Sequence, residues 1–125
     1  MIRVLIADDS PSFLAAARDV VAATDGFELA AAAENGEEAV ALARTHRFDL
    51  ALVDVNMPGI GGREAADRIV ADSPETAVVL MTATPDAATP PEAIDKRSLS
   101  PATLMEIWDG FATPRPSRAA QGGEQ

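Results

Sequence analysis

The chain has 125 residues, a formal net charge of −10 and no cysteine. One domain of this length buries a core without metals or disulfides, and the missing thiols exclude disulfides, thiolate catalysis and cysteine-ligated metals. Nine scattered arginines and a single lysine give no clustered positive charge to neutralise phosphates, which argues against direct nucleic-acid binding.

The first pattern is an apolar run, Ile2 to Ala7, stopped by Asp8-Asp9-Ser10-Pro11. A run of this length broken only by Arg3 suggests a strand buried on both faces, as in a parallel sheet. Asp9 or Ser10 can cap a helix whose early Pro11 needs no N–H partner, and Phe13, Leu14, Ala17, Val20 and Val21 give that helix an apolar stripe to about Ala23. Phe27 to Ala33 reads as a second strand, Asn35-Gly36 as a turn, and Glu37 to Thr45 as a second helix. A third strand is expected over Asp49 to Val53, then a breaker-rich loop from Asp54 to Gly62, then a helix from Arg63 to Ala71. Ala77 to Met81 reads as a buried strand and Glu92 to Asp95 as a short last one. Between them, Thr82 to Pro91 shows no apolar periodicity. Its prolines and missing apolar stripe predict that Ala83–Pro91 is not a stable helix. A final helix is predicted over Pro101 to Phe111, with Trp108 in its core-facing stripe. Thr113 to Gln125 lacks large apolar residues and reads as a disordered tail or the start of a linker.

No segment approaches the run of about 18 apolar residues that a membrane span needs, and the N-terminal run is too short for a signal-peptide core. No membrane association is expected, and a cytoplasmic location is.

Alternating strands and helices imply one α/β domain over residues 1–112, a doubly wound five-stranded parallel sheet in the order 2-1-3-4-5. Ligands in such sheets sit at the carboxyl ends of the strands beside the switch point. Those ends carry Asp8 and Asp9 (first strand), Asp54 (third), Thr82 (fourth) and Lys96 (fifth). Three converging carboxylates repel one another, and a divalent cation offsets that. Oxygen-only ligands select a hard ion, here Mg2+. A carboxylate in such a site can attack phosphorus to give an aspartyl phosphate, with a hydroxyl and an ammonium nearby to hold the transferred group.

The segments Val4-Leu5-Ile6-Ala7-Asp8-Asp9, Val53-Asp54-Val55-Asn56-Met57-Pro58-Gly59, Leu80-Met81-Thr82-Ala83 and Asp95-Lys96 together resemble the response-regulator receiver family of two-component signalling. The resemblance runs from Met1 to about Ala112 and implies a flavodoxin-like fold. It also implies that Asp54 is the phospho-acceptor, with a histidine kinase or phosphotransfer protein as donor and a protein as downstream partner. Asp8, Asp9 and Asp54 would hold Mg2+ with the Asn56 backbone carbonyl, Thr82 would be the switch hydroxyl, and Lys96 would contact the phosphoryl group. Three departures accompany it. Arg97 replaces the usual proline after the lysine, and Ile94 replaces the usual aromatic two residues before it. Thr82 and Lys96 are separated by fourteen positions, so the helix expected between the fourth and fifth strands is missing or reduced.

Taken singly, the site residues have plainer readings: a helix cap at Asp8–Pro11, a turn at Asp54, a strand-end hydroxyl at Thr82, a solvated charge at Lys96. Their joint placement on successive strand ends favours the chemical reading. A receiver-like docking module that works without phosphorylation is the main alternative. A phosphatase with an aspartate nucleophile would want an acid two residues on, where Asn56 stands. A receiver domain would not be an enzyme beyond slow phosphotransfer onto and off itself. The single His46, near a helix end, suits the helix dipole better than a metal.

Overall fold

Strands made almost wholly of aliphatic residues need cover on both faces. Three such runs form the middle of the sheet: β1 (Ile2–Ala7), β3 (Leu50–Asp54) and β4 (Ala77–Thr82). β2 (Phe27–Ala33) lies outside β1, and a two-residue β5 (Ile94–Asp95) outside β4. The computed structural model, which describes residues 1–85 and 93–112, orders the strands β2-β1-β3-β4-β5, all parallel. This is the doubly wound order expected from the alternation.

Successive side chains on the strands point to opposite faces, and the helices divide between them. Val4, Ile6, Leu50, Leu52 and Met81 are fully buried against Ala17 and Val21 of α1 (Pro11–Ala22) and Leu104 of α4 (Pro101–Ala112). Trp108 packs partly buried on the same face. On the other face Leu5, Ala51 and Val53 meet Val40 of α2 (Gly36–Thr45) and Ile69 of α3 (Gly61–Asp72). Each large aliphatic side chain buried this way contributes about 1.5–3 kcal/mol.

Capping explains the helix starts. Ser10, not Asp9, caps α1, its Oγ accepting the Phe13 N–H at 3.3 Å. Asn35 caps α2 by accepting from the Glu38 N–H at 2.7 Å, so Asn35-Gly36 opens the helix where a free turn was expected. Ser100 and Thr103 cap α4 reciprocally, each hydroxyl accepting the other's N–H. α3 starts two residues before the expected Arg63, at Gly61, whose φ of +83° is a conformation glycine reaches without strain.

β5 is shorter than the expected Glu92–Asp95 and runs straight into a 3-10 turn, Lys96–Ser98. Among the described residues no helix joins β4 to β5; Ala83, Thr84 and Pro85 leave β4 without helical structure. The rest of the segment predicted to lack a helix, and the expected tail from Thr113, lie outside the described residues.

Candidate functional site

Register, not sequence proximity, assembles the site. Ala7 is level with Val53, so Asp8 and Asp54 are the next residues on neighbouring parallel strands. Asp54 is level with Met81, which puts Thr82 one step beyond, and Thr82 is level with Asp95, which puts Lys96 one step beyond that. The four residues form a staircase along the carboxyl edge of the sheet.

One carboxylate oxygen from each of Asp8, Asp9 and Asp54 lies within 4.8 Å of the others. Asp8 is fully buried and Asp54 only 5% exposed, whereas Asp9 sits exposed at the mouth. Asp8 Oδ1 accepts the Ser10 N–H at 2.8 Å, and Asp54 Oδ1 accepts the Asn56 N–H at 3.2 Å. Lys96 Nζ stands between the two buried acids, 2.5 Å from Asp8 Oδ2 and 3.6 Å from Asp54 Oδ2, with its side chain 12% exposed. The Phe13 ring on α1 flanks the same ammonium, its centroid 4.4 Å away, a cation–π geometry.

These surroundings raise the pKa of Asp54 above the usual carboxylate value. Burial is the largest cause, and the charges of Asp8 and Asp9 add to it; the Asn56 amide and Lys96 pull the other way without cancelling it. The cluster therefore holds more negative charge than its one ammonium can match. Asp8 Oδ2 is fully buried, and the Lys96 ammonium 2.5 Å away is its one close partner. An all-oxygen donor set of three carboxylates against a single ammonium fits a hard divalent cation.

Of the residues singled out in the sequence, Asp8, Asp9, Asp54 and Lys96 come together. Thr82 is buried at the adjoining strand end, where its Oγ1 accepts the Thr84 N–H at 3.2 Å. Asn56 reaches the site through its amide, and its side chain is exposed. Arg97 stays outside: it grips Asp95 through two nitrogens, at 3.1 and 2.7 Å, holding that carboxyl below its usual range. Phe13 was legible only as part of an apolar stripe.

Glycines wall the site on the α2–α3 side. A methyl group at Gly62 would collide with the Asp54 carbonyl oxygen and come 2.8 Å from Val55 Cα. At Gly36 it would come 2.7 Å from Ile60 Cγ1 and 3.0 Å from the Gly61 carbonyl oxygen. The chain at Asp54–Val55 thus packs backbone to backbone against the start of α3, and the start of α2 packs against the Ile60 side chain and the first residue of α3.

The family model of the response regulator receiver domain matches residues 4–98. A protein-glutamate methylesterase/protein-glutamine glutaminase 2 of Anaeromyxobacter dehalogenans is 41% identical over 123 residues, covering 98% of this chain and 33% of that protein. The response regulator GacA of Pseudomonas viridiflava is 39% identical over 82 residues, 66% of this chain and 38% of that protein. The chain thus spans little more than a third of the length of these curated relatives. Among solved structures, the response regulator domain of Thermotoga maritima CheB superposes with a TM-score of 0.76 at 22% identity, covering 92% of this chain and 99% of that one. Strand order, the acidic staircase and the family match agree: this chain belongs to the response regulator receiver domain family.

Proposed function

We propose that Asp54 accepts a phosphoryl group from a phosphohistidine of a histidine kinase or phosphotransfer protein, and that the resulting change is read by a protein partner. One observation carries this reading: Asp54 is a buried carboxylate within 4.8 Å of two others and has an ammonium 3.6 Å away. A carboxylate oxygen of Asp54 forms a bond to phosphorus while the donor's P–N bond breaks. The electron pair of that bond stays on the donor imidazole, which takes up a proton. Mg2+ held by Asp8, Asp9, Asp54 and the Asn56 carbonyl would neutralise charge on the phosphoryl oxygens. Lys96 then pairs with a phosphoryl oxygen instead of Asp8, and the Thr82 hydroxyl donates to another. Both residues stand on strand ends next to Asp54, so their movement is the signal.

In this reading residues 1–112 are a signalling domain in the cytoplasm, with no catalysis beyond phosphotransfer onto and off Asp54, and 113–125 form a tail or linker. It acts on protein, not on nucleic acid or membrane. Among the described residues no helix is long and apolar enough to cross a membrane. The test is intact mass after incubation with acetyl phosphate and Mg2+. One acid-labile phosphate is expected on the parent and none on Asp54→Asn. An unlabelled parent, or a normally labelled variant, sinks the proposal.

A further inference from the structure

We infer that the outer edge of β4, over Ala77–Leu80, docks an extended cationic segment of another protein, which adds to the sheet as a further strand. The inference does not rest on the phosphoryl reading of Asp54. β5 pairs only with Met81 and Thr82. Below them, Ala77–Leu80 is paired with β3 on one side and, among the described residues, with no strand on the other. The Ala77 N–H donates to the Asp49 carbonyl and the Val55 N–H donates to the Met81 carbonyl. Alternation along the strand therefore turns the amides of Val78 and Leu80 outward. Edges of this kind are usually blunted by lysine, proline or a bulge, and Ala77-Val78-Val79-Leu80 has none.

A groove of about 450 Å3 follows this edge between α3 and α4. Its apolar wall includes Val70 and Phe111, 49% and 51% exposed. Its charged residues are Asp67 and Glu106. A neighbouring cavity of about 390 Å3 shares Val70, Val78 and Phe111 and adds Asp49 and Glu75. Among the described residues all four charged groups along the path are acidic and none is basic. An extended segment alternating apolar and basic residues satisfies the backbone edge, the apolar wall and the acidic rim together. A second copy of the chain fits poorly, because it brings the same acidic rim and a net charge of −10. The chain's own C-terminal segment also fits poorly, since Pro114 and Pro116 cannot donate to a strand and it has no large apolar side chain.

The probe is a blocked heptapeptide, Lys-Val-Arg-Val-Lys-Thr-Arg, titrated into the 15N-labelled full chain. Saturation should slow amide exchange at Val78 and Leu80 at least tenfold. Asp67→Arg with Glu106→Arg, both at exposed positions, should weaken binding at least tenfold. Asp19→Arg with Asp25→Arg, the same charge change at exposed positions on α1 and the turn after it, should change binding less than threefold. No binding at millimolar peptide, unchanged exchange at Val78 and Leu80, or equal losses in the two double variants would overturn the inference. Protection of both amides without peptide would also overturn it. Growth of that protection with protein concentration would identify a second copy, and its release by Arg115→Glu with Arg118→Glu the chain's own end.

Discussion

Lys96→Met is the most demanding test of the site's electrostatics, because it removes one charge and little volume. At an effective dielectric constant of about 20, charges 2.5 and 3.6 Å apart attract by about 7 and 5 kcal/mol. Desolvating the ammonium and the acids consumes much of that, and losing one member of a buried ion cluster typically costs a net 3–5 kcal/mol, roughly. Methionine retains the apolar stem beside Phe13, so packing loss should be small. The deficit should therefore be about 3–5 kcal/mol in EDTA, leaving a folded protein if total stability lies in the usual range of about 5–15 kcal/mol. In Mg2+ the variant should recover, because the ion no longer competes with an ammonium for Asp8. Tenfold tighter Mg2+ binding would narrow the deficit by about 1.4 kcal/mol. Urea unfolding followed by Trp108 fluorescence measures both quantities. A deficit below about 1 kcal/mol in EDTA, or an identical deficit with and without Mg2+, would refute the reasoning. The variant should also lose the phosphorylation-dependent change in partner binding while retaining Mg2+.

Asp54→Asn, besides abolishing phosphate labelling, should stabilise the metal-free protein at neutral pH. The folded-state pKa of Asp54 is raised, so the stability linked to its protonation is present below its unfolded pKa of about 3.8 and is lost as pH rises through the folded value; the variant's advantage should fade on acidification, and an advantage independent of pH would contradict this. Asp9→Asn should show a much smaller rise in melting temperature with Mg2+ than the parent, and an equal rise would remove Asp9 from the ion's ligands. Gly62→Ala should cost about 1–3 kcal/mol in urea unfolding, because the added methyl must displace the Asp54 carbonyl; a neutral result would show that the loop yields easily.

The sheet was readable because its central strands are almost wholly aliphatic, Arg3 apart, and breakers mark most of the boundaries between strand and helix. Parallel register then carried Asp8, Asp54, Thr82 and Lys96 to one edge, which is where the strand ends had placed them. Where the reading slipped, two local solutions were open to the same residues. Asp9 and Ser10 are both good caps, and Ser10 takes the role, its Oγ accepting the Phe13 N–H. Asn35-Gly36 suits a turn or a helix start, and the Glu38 amide decided for the helix. Phe13 beside Lys96 was not legible, since 83 positions separate them and an aromatic in a helical stripe ordinarily means core. The hold of Asp95 on Arg97 was equally hidden, because two charges two positions apart on a short turn give no periodic signal.

The glycine-walled side of the site gives it a direction. Toward α2 and α3, backbone already touches the loop after Asp54, and a single methyl group finds no room at Gly36 or Gly62. Toward β4 and β5, the neighbours of Asp54 are side chains with rotatable bonds, those of Thr82 and Lys96. Under the proposed function, a group added to the Asp54 carboxylate meets these rotatable side chains, while the backbone of Asp54 is backed closely by Gly62 of α3. On that proposal the domain would work as a one-way wedge, with the α2–α3 half as the anvil and the half that carries Lys96, the 3-10 turn and α4 as the part that yields.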